Sequence, residues 1–127
     1  GGGGGGPSAD HLRWMGAEQL RERLRHDASG VQVVDVRDYD FFYSHIPGAR
    51  HVPAQFFDVQ LPALAREFSE ADKTLVLHCG QAPSQRSCAC SRQLVKYLKA
   101  FYPTSSCKVM VLQGGYSAWE RLLQLDL

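Results

Sequence analysis

The chain has 127 residues, 44% of them hydrophobic, which is enough for one domain with one core but not for two. Its 14 basic and 13 acidic side chains nearly cancel, and the net charge of +1 argues against a nucleic-acid or membrane-surface ligand. No apolar run approaches the length of a membrane span and no secretory signal is present, so we expect a cytoplasmic or nuclear protein.

Strands and helices are predicted to alternate along the chain. Residues 1–10, which begin with six glycines, predict a disordered tail, and residues 11–127 predict a single domain. The predicted strands are Trp14–Met15, Val31–Val36, Arg50–Val52, Thr74–Leu77 and Lys108–Leu112. The predicted helices or helical turns are 17–26, 39–45, 55–69 with Pro62 in its first turn, the segment after Arg86, and 116–125. This alternation predicts an α/β fold with a mostly parallel central sheet and helices on both faces.

The segment from Thr74 to Leu98 carries the chemistry predicted for this chain. The apolar run Thr74–Leu77 is typical of a buried strand, and it is followed by His78, Cys79 and a loop that reaches Arg86. A helical period begins after the loop. Its predicted buried face consists of Ala89, Leu94, Val95 and Leu98. The cysteine therefore lies where a strand ends and a loop leads into a helix, the edge at which open α/β sheets bind ligands.

This arrangement favours an anion next to a thiolate. The free N–H groups of a tight loop and of a helix N-terminus converge on one point, and their positive field also favours an ionised cysteine. An arginine can bind oxyanion oxygens through two parallel hydrogen bonds. We therefore predict Cys79 and Arg86 as the catalytic residues. The predicted oxyanion-binding loop consists of Gly80, Gln81, Ala82, Ser84 and Gln85.

The cysteines are predicted to be free thiols in a reducing compartment. Cys88 and Cys90 stand two apart on one predicted helix, so their side chains diverge too far for a disulfide. Either of them is close enough in sequence to Cys79 to resolve its oxidised form, but we favour small structural helix residues. No second Cys or His pair has zinc-ligand spacing, so neither a metal nor a cofactor is predicted.

Two segments resemble the signatures of rhodanese-like domains: VVDVRDYDFFYSHIPGARHVP, residues 33–53, and VLQGGYSAWE, residues 111–120. Within that superfamily, the HC pair followed by a long loop and an arginine resembles the cell-cycle dual-specificity phosphatases and the small eukaryotic arsenate reductases. The resemblance implies a small oxyanion or a phosphorylated molecule as substrate. For arsenate reduction it also implies a thiol reductant such as glutathione.

The loop length departs from that branch. Five residues separate the cysteine from the arginine in the phosphatase-like proteins, whereas six separate Cys79 from Arg86. Pro83 also removes one N–H group from the loop. We expect this loop to serve phosphate poorly and a larger or softer centre better, because such chemistry depends on donors preset around the anion.

Three functions remain open at this point. The first is phosphatase or arsenate reductase chemistry through a Cys79 thiolate, the second is a sulfurtransferase that carries a persulfide on Cys79, and the third is a non-catalytic interaction module. The retained cysteine and arginine count against the third, and the long loop favours the first over the second.

Other polar residues near the predicted strand ends receive structural or open assignments. Asp35 and Arg37 resemble residues that fix turns in rhodanese-like folds, so we interpret them as structural. His78 is expected to face away from Cys79 and to support the site without acting as a base. The sequence identifies no general acid. The candidates in distant segments are Asp38, Asp40 and Asp58.

Overall fold

The fold is a single parallel sheet with helices on both faces. A computed structural model describes residues 12–80 and 85–125, and only the main chain of residues 85–88. The strands are β1 (Arg13–Met15), β2 (Val31–Asp35), β3 (Arg50–His51), β4 (Thr74–His78) and β5 (Lys108–Leu112). The helices are α1 (Ala17–His26), α2 (Asp40–Tyr43), α3 (Phe57–Ser69), α4 (Gln85–Phe101) and α5 (Gly115–Leu125), with single 3₁₀ turns at Ala28–Gly30 and Ala54–Phe56.

The five strands pair in the order β1-β5-β4-β2-β3, and every pair is parallel. This confirms the predicted α/β class. In the register, Asp35 of β2 pairs with His78 of β4, so the carboxyl ends of these neighbouring strands lie side by side. The residues that directly follow β2 and β4 therefore meet at one edge of the sheet.

Alternating side chains of the central strands bury two separate cores. Leu75 and Leu77 of β4 pack into a core with α3 and α4, whereas Val76 packs into a core with α1 and α5. Both faces of β4 are thus covered, and all five of its residues are buried. This double burial explains the continuous apolar run that predicted the strand.

Two details of the predicted helices are wrong. Helix α3 begins at Phe57, so Pro62 lies inside the helix and not in its first turn. Burial of Phe57 in the core favours an early start of the helix. Pro62 is exposed, so water can bond the carbonyl oxygen that lacks a helical N–H donor.

In α4, the predicted buried face is wrong at one position. Ala89 is exposed, and the buried face consists of Cys90, Ser91, Leu94 and Leu98.

Within the described part of the chain, no helix is both long and apolar enough to cross a membrane.

Candidate active site

Cys79 lies immediately after the central strand, at the carboxyl edge of the sheet. Its side chain is 3% exposed and belongs to the core that β4 shares with α3 and α4. His78, one residue earlier, is completely buried and stacks against Tyr116 of α5 on the other face, with ring centroids 5.9 Å apart. The expected divergence of these two side chains is confirmed. The thiol therefore faces the side of the sheet on which α4 begins.

The main chain follows the predicted order of strand, loop and helix, as far as it is described. Gly80 is the last described residue before the loop, and α4 begins at Gln85, which makes Arg86 the second residue of that helix. The predicted loop residues Gln81, Ala82 and Ser84, together with Pro83, lie outside the described residues. So do the side chains of Gln85, Arg86 and Cys88. The assignment of Arg86 to the anion stays a prediction that rests on its position in the first turn of α4.

The backbone of Cys79 and Gly80 is attached to the first turn of α5. The carbonyl of Cys79 accepts a hydrogen bond from the N–H of Tyr116 at 2.9 Å, and the carbonyl of Gly80 accepts one from the N–H of Ser117 at 3.0 Å. The Ser117 hydroxyl donates a second bond to Gly80, also at 3.0 Å. The sequence does not predict this attachment, because Ser117 and Gly80 are 37 positions apart in the chain.

His78 links the Cys79 carbonyl to a buried carboxylate. A carbonyl only accepts, so the 3.0 Å contact between His78 Nδ1 and Cys79 O places a proton on Nδ1. His78 Nε2 lies 3.6 Å from Asp35 Oδ2, too far for a hydrogen bond. Burial lowers the pKa of His78, and the negative charge of Asp35 opposes that shift only in part. A neutral, Nδ1-protonated imidazole supports the Cys79 carbonyl.

Asp35 and Arg37 form a buried ion pair beside Cys79. Arg37 Nη2 lies 2.7 Å from Asp35 Oδ2, Nε lies 3.0 Å from both carboxylate oxygens, and the Arg37 N–H bonds Oδ1 at 2.9 Å. Arg37 Nη2 also bonds the Ser44 carbonyl at 2.8 Å, and its guanidinium carbon lies 4.0 Å from the Tyr116 ring centre. These contacts join the carboxyl end of β2, the segment that follows α2 and the first turn of α5, which fits the structural role predicted for the pair.

The described cysteines Cys79, Cys90 and Cys107 form no disulfide and lie in different parts of the fold. Cys90 is buried in the same core as Cys79, on the second turn of α4. Cys107 directly precedes β5, and the first residue of β5 pairs with the first residue of β4. About five residues of strand, roughly 16 Å, therefore separate Cys107 from the carboxyl edge of the sheet, where Cys79 lies. Desolvation raises the pKa of Cys107 to about 11. Cys107 is therefore not positioned to react with Cys79.

The three candidate general acids are all exposed. Asp38 and Asp40 follow the carboxyl end of β2, the edge of the sheet at which Cys79 lies, and Asp58 lies in the first turn of α3, which packs on the core that contains Cys79. Among the described residues, no group of three or more His, Cys, Asp or Glu side chains could hold a metal ion.

Fold and site together define an α/β domain in which a cysteine follows the central parallel strand. The family model of the rhodanese-like domain matches residues 16–122, and the chain belongs to that family. It is 35% identical over 111 residues to arsenate reductase 2.2 of Oryza sativa subsp. japonica, covering 86% of this chain and 82% of the relative. It is 25% identical over 125 residues to the dual specificity phosphatase ibp1 of Schizosaccharomyces pombe, with coverages of 87% and 89%.

The fold agrees with that of a solved relative. Saccharomyces cerevisiae Ygr203w, a homologue of single-domain rhodanese and of the Cdc25 phosphatase catalytic domain, superposes with a TM-score of 0.78 at 24% identity, covering 94% of this chain and 86% of that one. The chain is thus related to arsenate reductase and phosphatase enzymes.

Proposed function

We propose that this protein is an enzyme of cysteine-dependent oxyanion chemistry, and that its substrate is arsenate, reduced with a thiol such as glutathione. The observation that carries the proposal is the buried Cys79 thiol at the end of β4, on the side where the N-terminus of α4 begins. At that place we expect the Cys79 thiolate, the first amides of α4 and the Arg86 guanidinium to act on one anion. The 35% identity to an arsenate reductase supports arsenate as the anion.

The reaction balances with two equivalents of thiol. The Cys79 sulfur attacks arsenic, an As–O bond breaks and water leaves. A glutathione sulfur then attacks the Cys79 sulfur, the S–As electron pair passes to arsenic, and arsenite leaves with arsenic reduced from As(V) to As(III). A second glutathione attacks the resulting mixed disulfide, which releases oxidised glutathione and restores the Cys79 thiol. Glutathione as reductant agrees with free thiols in a reducing compartment.

Phosphatase activity is the second candidate. It uses the same attack at phosphorus, and the 25% identity to a dual specificity phosphatase favours it. We expect it to be the weaker activity, because phosphate transfer depends on N–H donors fixed around the phosphate oxygens. The sixth residue between Cys79 and Arg86 changes the spacing of those donors, and Pro83 supplies no N–H group.

A side-by-side assay tests the proposal. Arsenate with glutathione, an aryl phosphate, and thiosulfate with cyanide are offered to the wild type and to Cys107→Ser, which removes a thiol at the opposite edge of the sheet. We expect turnover mainly of arsenate, equal in the two proteins. Turnover of thiosulfate alone would make the protein a sulfurtransferase, and turnover of none of the three would leave a non-catalytic module.

A further inference from the structure

The first turn of α5 uses its free N–H groups on the backbone that follows the thiol. The first N–H groups of a helix have no partner within the helix and are usually available to an anion. Here the N–H groups of Tyr116 and Ser117 bond the carbonyls of Cys79 and Gly80 at 2.9 and 3.0 Å. This end of α5 therefore anchors protein backbone, which leaves the anion to other donors.

Anchoring the Cys79 carbonyl determines the direction of a neighbouring donor. In a trans peptide the C=O of one residue and the N–H of the next point in opposite directions. Because the Cys79 carbonyl points at α5, the N–H of Gly80 points away from α5. Gly80 N–H is the first main-chain donor after the thiol, and the Cys79 side chain belongs to the core on the opposite face from α5.

Gly115 allows this close approach. It has a φ of +63°, and a Cβ atom there would lie 2.9 Å from the Cys79 oxygen and 3.2 Å from the carbonyl carbon and oxygen of Gly80. Ser117, two residues on, adds a side-chain hydrogen bond to this backbone, from its hydroxyl to the Gly80 oxygen at 3.0 Å. Gly80 O thus has two donors from one residue.

We infer that Ser117 is a positioning residue: its hydroxyl holds the Gly80 carbonyl and thereby keeps the backbone of Gly80, whose N–H is the first main-chain donor after the thiol, directed at the oxyanion. The inference rests on the proposed function, because it needs an anion bound beside Cys79. Without the hydroxyl, Gly80 O keeps the Ser117 N–H as a partner, so no buried acceptor is left unpaired and the carbonyl becomes free to turn. Alanine is also the better helix former, so the fold should lose little stability.

The test compares two matched serines. Ser105, like Ser117, is half-buried and donates its hydroxyl to a distant main-chain carbonyl, that of Ser69 at 2.6 Å, but it lies just before β5 at the opposite edge of the sheet. Ser117→Ala, Ser117→Thr and Ser105→Ala are each made in a Cys79→Ser background, which cannot turn arsenate over. Arsenate affinity is measured by calorimetry and stability by thermal unfolding.

We expect Ser117→Ala to weaken arsenate binding about fivefold, the equivalent of one neutral hydrogen bond, at little change in stability. Ser117→Thr should restore the affinity, and Ser105→Ala should leave it unchanged. Unaltered affinity in Ser117→Ala, or an equal loss in Ser105→Ala, overturns the positioning role while the proposed function stands. Absence of arsenate binding in the Cys79→Ser parent itself refutes the proposed function, and the inference falls with it.

Discussion

Neutralising Asp35 should destabilise the fold without changing the chemistry. Asp35 is completely buried, and its partner Arg37 is 5% exposed, so Asp35→Asn leaves a guanidinium inside the protein without its counter-ion. The surface offers a matched ion pair between Arg50 and Glu67, 2.5 Å apart with side chains 39% and 50% exposed. Glu67→Gln makes the same carboxylate-to-amide change in this solvent-exposed pair.

The two substitutions differ in expected cost because only one strands a buried charge. Removing one partner of a buried ion pair typically costs about 3–5 kcal/mol, and the isosteric amide keeps some hydrogen bonds, so we expect about 3 kcal/mol for Asp35→Asn. For a domain of this size that corresponds to a fall in melting temperature of roughly 12 °C. Glu67→Gln should cost less than about 1 kcal/mol, because exposed pairs are hydrated and screened.

Urea unfolding followed by tryptophan fluorescence measures both free energies, since Trp119 is buried and reports loss of the core. Turnover of arsenate with glutathione, measured well below the melting temperature, should show the same pH profile in Asp35→Asn as in the wild type. Equal stability losses in Asp35→Asn and Glu67→Gln would refute the role of the buried pair. A stable Asp35→Asn with a shifted pH profile would instead make Asp35 part of the chemistry.

Three further predictions concern single sites. Gly115→Ala should lower turnover by at least about tenfold, because the new Cβ contacts the backbone of Cys79 and Gly80. The control is Gly114→Ala, at φ +83°, whose Cβ clashes only with Ala118 of α5. Its turnover, measured on folded protein, should stay within about twofold of the wild-type value. Because burial holds the pKa of His78 below 6.5 in the folded state, unfolded chains take up that proton first, so stability should fall as pH drops below about 6.5. His78→Gln should flatten that part of the urea-unfolding profile, and an unchanged slope would contradict it. Cys107, with a pKa of about 11, should react with iodoacetamide only slowly at neutral pH and faster in strong alkali; rapid labelling at neutral pH would show that the thiol is not desolvated.

The central strands were predictable because strands buried on both faces have nearly continuous runs of apolar residues. The β-branched run predicted at Val31–Val36 and the apolar run predicted at Thr74–Leu77 form the central strands Val31–Asp35 and Thr74–His78. The predicted parallel sheet places Cys79 at their carboxyl edge. Helix boundaries were less predictable, since Pro62 favours a first turn by local preference while burial of Phe57 begins α3 earlier.

The support of the site depends on contacts between segments far apart in the chain. The bond from Ser117 to Gly80 spans 37 positions, and no periodicity or motif predicts a partner at that distance. The ion pair was accessible to reasoning because Asp35 and Arg37 are only two residues apart. The catalytic roles of Cys79 and Arg86 remain predictions, supported by the position of the thiol and of the first turn of α4.

The most direct test of the account is arsenate turnover and arsenate binding in Cys79→Ser, measured beside Cys107→Ser. Serine keeps the shape of the side chain but has no thiolate, so it removes the nucleophile and leaves the anion site intact. We predict that Cys79→Ser binds arsenate and produces no arsenite with glutathione, while Cys107→Ser behaves as the wild type does. Arsenite production by Cys79→Ser at the wild-type rate would contradict the central claim that Cys79 is the nucleophile.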